Sequence, residues 1–299
     1  MSKRLFTFGC SYTQYQFPTW ADFLGLEFDH YENWALAGIG CRAIAERLAE
    51  CHARNNITKN DVVIIQWTTH LRNDFYTPNT IDGRTGINWK TWGSVFSEKN
   101  QKLYDKKWLD RFFFEPAYIM HCLNHILLAQ LMLEQIGCTW FMTSIGDWPL
   151  LCSDLDDITG STEKKIKPIT LENNFPELLF YTKPIWEDRK DHWLTPIATT
   201  ANELPNAWWW FQEPKDKEPW REQHPSPRQH VYWLNKHLRP KLSLGNAPEV
   251  QDKWIEQLEK IKISCKDNRD AIEDVFLHKQ HEQEFWPAGY WPRRYEGFF

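Results

Sequence analysis

The chain has 299 residues, of which 42% are hydrophobic, and a formal charge of −5, so it can fold around a sizeable core. This acidic balance gives no general attraction to nucleic-acid phosphates or anionic membranes, and we expect neither as a partner. The most apolar stretch, Ala117–Leu133, is broken by polar residues and falls short of the roughly 20 apolar residues of a membrane helix. Leu5–Phe8 is too short an apolar run for a signal peptide, which favours a cytoplasmic protein.

Neither the cysteines nor the histidines predict a metal site. There are seven cysteines, an odd number without a Cys-x-x-Cys spacing, and we expect free, buried thiols in a reducing compartment. His121 and His125 are spaced i, i+4, but no third ligand lies nearby in the sequence, so we interpret them as structural.

Hydrophobic patterning predicts strands and helices that alternate along the chain. The predicted strands are Lys3–Phe8, Tyr31–Trp34, Asp61–Trp67 and Cys138–Ser144, and the predicted helices are Cys41–Asn55 and Pro116–Ile136. Asp61–Trp67 has no polar–apolar alternation, as expected of a strand buried on both faces of a parallel sheet. The order of the elements predicts an α/β fold with a doubly wound parallel sheet.

Two stretches, residues 70–115 and 146–223, exceed the connections of a minimal α/β unit. Both are rich in Asp, Asn, Pro and Trp, and both follow predicted strands at the end where open α/β sheets bind ligands. We interpret them as long loop insertions that wall a site within an α/β domain of residues 1–244.

Residues 245–299 are predicted to form a helical extension. Pro248–Ile263 and Asn268–Glu284 have the pattern of polar helices, and the chain ends in an aromatic tail of Trp286, Tyr290, Trp291, Tyr295, Phe298 and Phe299. So many apolar rings must pack on the chain itself or on a partner.

A Gly-Cys-Ser sequence follows the first predicted strand. Gly9 allows a sharp turn, which places the Ser11 hydroxyl at the carboxyl end of that strand. A helical turn after Ser11 would aim backbone N–H groups at its oxygen, where they stabilise a developing oxyanion. On its own the pattern is more often a turn or capping serine. Cys10, a second nucleophilic side chain, is expected to point away from the Ser11 side of the turn.

A second element lies at His224, just before a predicted helix. Ser226 at the N-cap, Pro227 at the first helical position and Gln229 two residues later form a helix-start pattern. His224 therefore lies on a fixed loop. A rigidly held histidine near a serine indicates a general base.

These motifs resemble those of the SGNH (GDSL-like) hydrolases, a family of esterases and lipases on a flavodoxin-like, three-layer α/β/α sheet. Phe8–Thr13 is similar to the family's first block, with Cys in place of Asp. Asn33–Gly38 matches its second block, Asn-x-Ala-x-x-Gly, and Glu222–Pro225 is similar to its last block, an acid shortly before His-Pro.

The resemblance implies a role for several of these residues. Ser11 would be the nucleophile and His224 the base, and the backbone amides of Ser11 and Gly38 would form part of the oxyanion hole. The resemblance implies neither a metal nor an organic cofactor.

The third block of the family, Gly-x-Asn-Asp, is displaced in this chain. In the family it ends the third strand, whereas Asn73 lies several residues beyond the predicted strand. The resemblance makes Asn73 a candidate oxyanion donor, and Thr68 or Thr69 could take its place.

The acid of the last block is also displaced. The family's acid commonly precedes the histidine by three residues, where Arg221 stands, whereas Glu222 precedes it by two. Residues two apart in an extended segment face the same side, so Glu222 could orient the imidazole. A Ser–His dyad held by a backbone carbonyl is the alternative.

Aromatic residues crowd the loop before His224. Trp208, Trp209 and Trp210 are consecutive, and such rings either stack on sugars and line acyl pockets or form the core of a lid. We expect them on the substrate side. Arg72, after the third strand, would meet a carboxylate of the substrate or of a lid.

We therefore expect a serine esterase that hydrolyses an ester through an acyl-enzyme. Its substrate would be a small-molecule or glycan ester, and the tryptophans favour an acylated carbohydrate. The alternative is a hydrolase-like binding or structural protein that has kept the fold and lost the activity, as the displaced acid and Asn73 suggest.

Overall fold

The computed structural model describes residues 3–15, 17–81, 84–94, 106–146, 150–151, 169–211, 220–245, 249–264 and 293–294. The strands are β1 (Arg4–Phe8), β2 (His30–Asn33), β3 (Val62–Trp67), β4 (Arg72–Ile81), β5 (Arg84–Ser94), β6 (Thr139–Ser144), β7 (Leu150–Leu151), β8 (Ile169–Thr170), β9 (Trp210–Phe211), β10 (Trp220–Arg221) and β11 (Arg293–Arg294). The α-helices are α1 (Trp20–Gly25), α2 (Cys41–Asn55), α3 (Lys106–Phe112), α4 (Glu115–Ile136), α5 (Leu171–Asn174), α6 (Ile197–Ala201), α7 (Pro227–Trp233), α8 (Arg239–Lys241) and α9 (Glu249–Ser264). Turns of 3-10 or π geometry cover Pro176–Tyr181, Lys183–Glu187, Lys190–His192, Pro205–Ala207 and Leu234–Leu238.

A parallel sheet lies at the centre of the fold. Its strands follow the order β11-β2-β1-β3-β6, and each neighbouring pair is parallel. Phe8 of β1 pairs with Ile65 of β3, which pairs in turn with Met142 of β6, so the carboxyl ends of these strands lie at one edge. The chain is therefore a mixed α/β protein with a parallel sheet, compatible with the expected flavodoxin-like arrangement.

The predicted elements of this core are confirmed with small shifts at their ends. Each of β1, β2, β3, β6 and α4 overlaps its predicted segment, and α2 covers the predicted Cys41–Asn55. The predicted end of α4 is confirmed as well, because Gly137 caps it with a φ of 74°. Glycine adopts this left-handed conformation without a Cβ clash.

Alternate residues of the strands face two separate hydrophobic clusters. Leu5 and Ile64 belong to a cluster that also contains Trp20 of α1, Trp233 of α7 and Leu258 of α9. Phe6 and Ile65 belong to a cluster that contains Leu48 of α2 and Leu123 of α4. Because every residue of β3 is buried on one side or the other, its sequence shows no polar–apolar alternation.

The first predicted insertion is not the irregular loop that we expected. Residues 70–115 contain an antiparallel hairpin of β4 and β5, in which Tyr76 pairs with Trp89, followed by α3. Its aromatic and β-branched residues favour sheet pairing. Pro78 inside β4, together with neighbouring Asn and Asp residues, obscured that pattern in the sequence.

The described parts of the second insertion, residues 146–223, consist of short strands and helical turns. Trp193 forms a parallel bridge with Met142, and Leu194 N donates to Met142 O at 2.8 Å. This segment therefore lies along β6 and continues the sheet beyond it.

The start of the predicted extension packs against the core. The predicted helix Pro248–Ile263 is seen as α9, and the ring of Trp254 meets that of Phe23 with centroids 4.7 Å apart. Gln251 Nε2 also donates to Phe23 O at 3.2 Å. The predicted helix Asn268–Glu284 and the residues named for the aromatic tail lie outside the described residues.

The described cysteines agree with the sequence analysis. Cys10, Cys41, Cys51, Cys122 and Cys138 are free and buried. Burial raises the pKa of the Cys138 thiol to about 12 and raises the pKa of Cys51 above the usual range, so both stay protonated at neutral pH. Cys152 and Cys265 lie outside the described residues.

Within the described part of the chain, α4 is the one helix long and apolar enough to cross a membrane by length and composition. This corrects the expectation that no segment approaches that limit. Buried core helices satisfy the same criterion, and α4 places Ile119, Leu123, Ile126 and Leu133 in the core, so its composition is weak evidence for a membrane.

Candidate active site

Ser11 lies just after the end of β1, in a tight turn. Thr13 N and Gln14 N both donate to Cys10 O, at 2.9 and 3.0 Å, which bends the chain through one helical turn. Glycine is needed at position 9, because a Cβ on Gly9 would lie 2.3 Å from Thr13 Oγ1. The turn leaves the buried Ser11 at the carboxyl end of β1, where the sequence places it.

Gln66, the last residue but one of β3, fixes this turn. Its Oε1 accepts hydrogen bonds from Cys10 N at 3.2 Å and from Thr13 Oγ1 at 3.3 Å. The Cys10 thiol is fully buried and lies 3.3 Å from the same oxygen. The sequence analysis missed Gln66, although a polar residue inside an apolar, buried strand is a readable signal.

The loop that carries His224 is held by the start of α7. Ser226 Oγ accepts from Gln229 N at 3.4 Å, and Gln229 Oε1 accepts from Ser226 N at 2.8 Å, so the predicted capping pattern is confirmed. Gln229 Nε2 also donates to Ala201 O at 3.0 Å, which ties the loop to α6.

Ser11, His224 and Glu222 form a continuous row of hydrogen-bonding groups. His224 Nε2 lies 2.8 Å from Ser11 Oγ, and His224 Nδ1 lies 2.8 Å from Glu222 Oε1. A proton assigned to Nδ1, where it faces the carboxylate, leaves Nε2 as the acceptor for the Ser11 hydroxyl. Ser11 is 7% exposed and Glu222 2% exposed, so both contacts are shielded from water.

Glu222 is fixed by its backbone as well as by its side chain. Glu222 N donates to Trp209 O at 2.9 Å. Its Oε1 accepts from His224 N at 3.2 Å and from the Tyr15 hydroxyl at 3.3 Å, in addition to the imidazole. Donors that converge on one buried carboxylate oxygen fix its direction.

Two tyrosines from the turn after Ser11 cover His224. The Tyr15 ring is stacked on the imidazole with centroids 3.8 Å apart and an interplanar angle of 23°. The Tyr12 ring lies 5.3 Å from the imidazole, and its hydroxyl donates to Gln223 O at 3.0 Å. The sequence analysis missed both, and their closeness to Ser11 along the chain was the one available signal.

Comparison of the chain with models of known protein families finds no match, and comparison with curated proteins finds none. The function is therefore inferred below from the geometry around Ser11 and from the short motifs that surround it.

The backbone amides expected to hold an oxyanion lie on loops that are joined to each other. Asn33, the last residue of β2, donates through Nδ2 to the carbonyl oxygen of Thr13, which follows β1, at 3.0 Å. Gly38 has a φ of 85°, a conformation that favours glycine. Among the described residues, no hydrogen bond engages the backbone N–H of Ser11 or of Gly38, so both can donate to an anionic oxygen.

Asn73 and Asp74 tie β4 to the neighbouring helices. Asn73 Nδ2 donates to the Tyr118 hydroxyl at 2.8 Å. Asp74 accepts from Gly40 N at 2.7 Å and from Ala43 N at 3.0 Å, and it thereby caps α2. Asn73 and Asp74, which resemble the family's third block, therefore make hydrogen bonds that join elements of this fold.

Thr68 directly follows β3 and is the predicted substitute for Asn73. Its Oγ1 is buried and has no hydrogen-bond partner within the described part of the chain, so its hydroxyl keeps a donor for a reacting oxygen. Thr69, the other substitute, is partly exposed. Arg72 is also partly exposed, and its Nη1 donates to Ile39 O at 3.1 Å.

The three consecutive tryptophans differ in exposure. Trp208 is 6% exposed and Trp209 2%, whereas Trp210 is 51% exposed. Trp209 Nε1 donates to Glu259 Oε1 at 3.3 Å, and with Trp208 it borders a cavity of about 750 Å³ beside α9. The expected surface of three indoles is corrected accordingly: Trp209 is a core residue, and Trp210 is the ring open to solvent.

Two other histidines stay neutral at neutral pH. Burial lowers the pKa of His125 on α4, and nearby His121 adds to the effect, as expected of a structural residue. Burial lowers the pKa of His230 on α7 to about 3, and the charge that His224 can carry adds to it. The described residues contain no group of three His, Cys, Asp or Glu side chains placed to hold a metal.

Proposed function

We propose that the chain is a serine esterase of the SGNH type, built on a doubly wound, flavodoxin-like sheet. The observation that carries this proposal is the row Ser11–His224–Glu222, with both contacts at 2.8 Å, at the carboxyl end of a parallel sheet. A nucleophile, a base and an orienting acid in such contact are the geometric requirement of nucleophilic acyl transfer. The motif Asn33–Gly38, in its expected place after β2, supports the same reading.

In the proposed mechanism His224 Nε2 takes the proton of Ser11 as Oγ attacks the carbonyl carbon of the ester. The backbone amides of Ser11 and Gly38 donate to the tetrahedral oxyanion. His224 then gives its proton to the leaving alkoxide, which leaves the acyl group on Ser11. His224 next deprotonates a water molecule, which attacks the acyl carbon; the bond to Ser11 Oγ breaks, His224 returns the proton to Oγ, and the acid is released. Glu222 stabilises the imidazolium in both steps.

A hydrolase-like binding protein without activity is the second candidate. The displaced acid was one of its two grounds, and the 2.8 Å contact between Glu222 and His224 supports the esterase on this point. The second ground, the displaced Asn73, remains, because the Asn73 side chain donates to the Tyr118 hydroxyl. Thr68 is the described side chain that could replace Asn73 as a donor.

Ser11 is expected to react with a fluorophosphonate probe, because an activated Oγ attacks phosphorus and expels fluoride. Ser11→Ala should abolish labelling and leave the melting temperature nearly unchanged, since the lost hydroxyl is a single small group. Mass spectrometry of the labelled peptide locates the adduct.

Ser144 provides a matched control for this experiment. It is buried at the end of β6, on the same edge of the sheet, and its hydroxyl donates to Gly146 O. Ser144→Ala should label at the wild-type rate, and heat-denatured protein should not label. Wild-type protein that fails to label Ser11 would favour the binding protein over the esterase.

Trp210 is expected to contact an acylated carbohydrate, the substrate class that we propose. Trp210→Ala should raise the Michaelis constant for a sugar ester by roughly five- to thirtyfold, because a stacked indole contributes about 1–2 kcal/mol. A small acetate ester has no sugar ring to stack on Trp210, and its kinetics should hardly change. Steady-state kinetics of both esters make the comparison.

Trp209→Ala supplies the contrast, because Trp209 is a buried core residue. Its removal should lower the melting temperature and the hydrolysis of both esters. If Trp210→Ala behaves in that same way, the exposed ring supports the loop and the carbohydrate is dropped as a substrate.

A further inference from the structure

Tyr15 makes two different contacts with the proposed catalytic group. Its ring is stacked on His224 with centroids 3.8 Å apart, and its hydroxyl lies 3.3 Å from Glu222 Oε1. The residue is 8% exposed, so water hardly competes for either contact. One side chain therefore touches both the proposed base and the acid that orients it.

The Tyr15 ring is itself held in place by other aromatic rings. Phe17 meets it edge-on, with centroids 4.8 Å apart and an interplanar angle of 80°. Phe17 packs in turn on Trp209 at 4.9 Å, and Trp209 O accepts the backbone N–H of Glu222. A row of rings thus connects the imidazole to the segment that carries its acid, which fixes the direction of the Tyr15 ring.

A stacked phenol ring has a different interaction with neutral and with protonated imidazole. The face of an aromatic ring is negative, so it attracts a cation lying over it, and the attraction is larger where water is excluded. During acyl transfer His224 becomes an imidazolium and then returns to neutral. An interaction that strengthens as this charge develops lowers the barrier, whereas one of constant strength does not.

We propose that Tyr15 is a positioning residue of the Ser11–His224–Glu222 group, which stabilises the imidazolium through its ring and fixes Glu222 through its hydroxyl. This inference rests on the proposed esterase function. It adds to that function a side chain from the nucleophile turn that acts on the base, so the segment after Ser11 supplies more than the nucleophile.

The ring and the hydroxyl are separable by substitution. Tyr15→Phe keeps the ring and removes the hydroxyl, whereas Tyr15→Leu removes the ring but retains an apolar cover over His224. The difference between the two variants therefore isolates the ring. Tyr15→Met serves as a second ring-free variant if the leucine variant melts far below wild type.

The pH profile of fluorophosphonate labelling reports the charge on His224, because labelling needs the neutral base. The groups that face His224 are Ser11, Glu222, Tyr12, Tyr15 and the neutral His230. Loss of the ring makes the imidazolium less stable. The acidic limb of the profile in Tyr15→Leu should therefore move to lower pH, by about half a unit, while the plateau rate falls about tenfold.

Tyr15→Phe should lower the plateau rate by only about threefold and should not move the acidic limb to lower pH. Tyr31→Phe is the matched control. Tyr31 is also buried, and its hydroxyl donates to a different carboxylate, Asp22 Oδ1, at 3.4 Å. It should lower the melting temperature at most and leave labelling unchanged.

Two outcomes overturn the proposal. A ring-free variant that folds and labels with the wild-type plateau and limb shows that the ring does not act on His224. If the plateau labelling rate falls but the acidic limb of the pH profile stays in place or moves to higher pH, the variant has lost packing alone. Wild-type protein that does not label at all overturns the esterase function itself, a result distinct from either.

Discussion

Replacement of His224 with alanine is expected to lower kcat/KM for a small acetate ester by about 10⁴-fold or more, the scale on which hydrolases lose activity without their base. The reason is geometric: His224 Nε2, at 2.8 Å, is the described basic atom in hydrogen-bond contact with Ser11 Oγ. Without it the hydroxyl has nowhere to send its proton as it attacks. Steady-state hydrolysis and the rate of fluorophosphonate labelling should fall together.

His192 is the matched control, because its imidazole is also stacked on an aromatic ring, that of Trp140, with centroids 3.8 Å apart. It bonds Trp140 O and lies away from Ser11 in the described structure. His192→Ala should keep its activity. The double variant Ser11→Ala/His224→Ala should be no slower than either single variant, since the two side chains act as one unit. Additive losses would contradict their pairing.

Replacement of Glu222 with glutamine is expected to lower the rate by several orders of magnitude. The amide keeps the size of the side chain but cannot stabilise an imidazolium, and its NH₂ group would turn the imidazole to the wrong tautomer. The effect should be large because Glu222 is 2% exposed, so water cannot replace the carboxylate. Measurement of kcat for the same acetate ester checks it.

The size of that loss decides between a triad and a dyad. A fall of less than about tenfold, which corresponds to roughly 1.4 kcal/mol, would favour a Ser11–His224 dyad. Glu259→Gln controls for the loss of an acidic side chain. Glu259 belongs to α9, and its Oε1 accepts a hydrogen bond from Trp209 Nε1. It should leave hydrolysis of the small ester unchanged.

The sequence alone predicted the features that depend on residues close together along the chain. Cys41–Asn55 was predicted to its ends, because helical periodicity and the Asn residues that stop it lie within the segment itself. The cap formed by Ser226 and Gln229 spans three residues, and its pattern is complete in the sequence. Burial of both faces of β3 was predicted because Val62–Ile65 are apolar without alternation.

Contacts across the fold could be predicted only where a sequence motif marked both partners. Ser11 and His224 are 213 residues apart, and their meeting was predicted because each lies in a motif that resembles one of the SGNH hydrolases. Tyr15 reaches Glu222 across 207 residues with no motif to mark it, and Gln66 reaches Thr13 across 53. A single sequence does not record which distant side chains share a pocket, so these supporting residues required the structure.

His230 makes α7, the helix that follows the proposed base, sensitive to acid. Its pKa is about 3 in the folded chain, lowered by burial from the ordinary value of 6.5, so between these values the unfolded chain binds a proton that the folded chain refuses. The contribution of His230 to the free energy of unfolding is therefore fully present at neutral pH. It declines as the pH falls below about 6.5. His230 belongs to α7, the helix whose first turn fixes His224. Acid is therefore expected to weaken α7, the helix on whose first turn the loop of the proposed base depends.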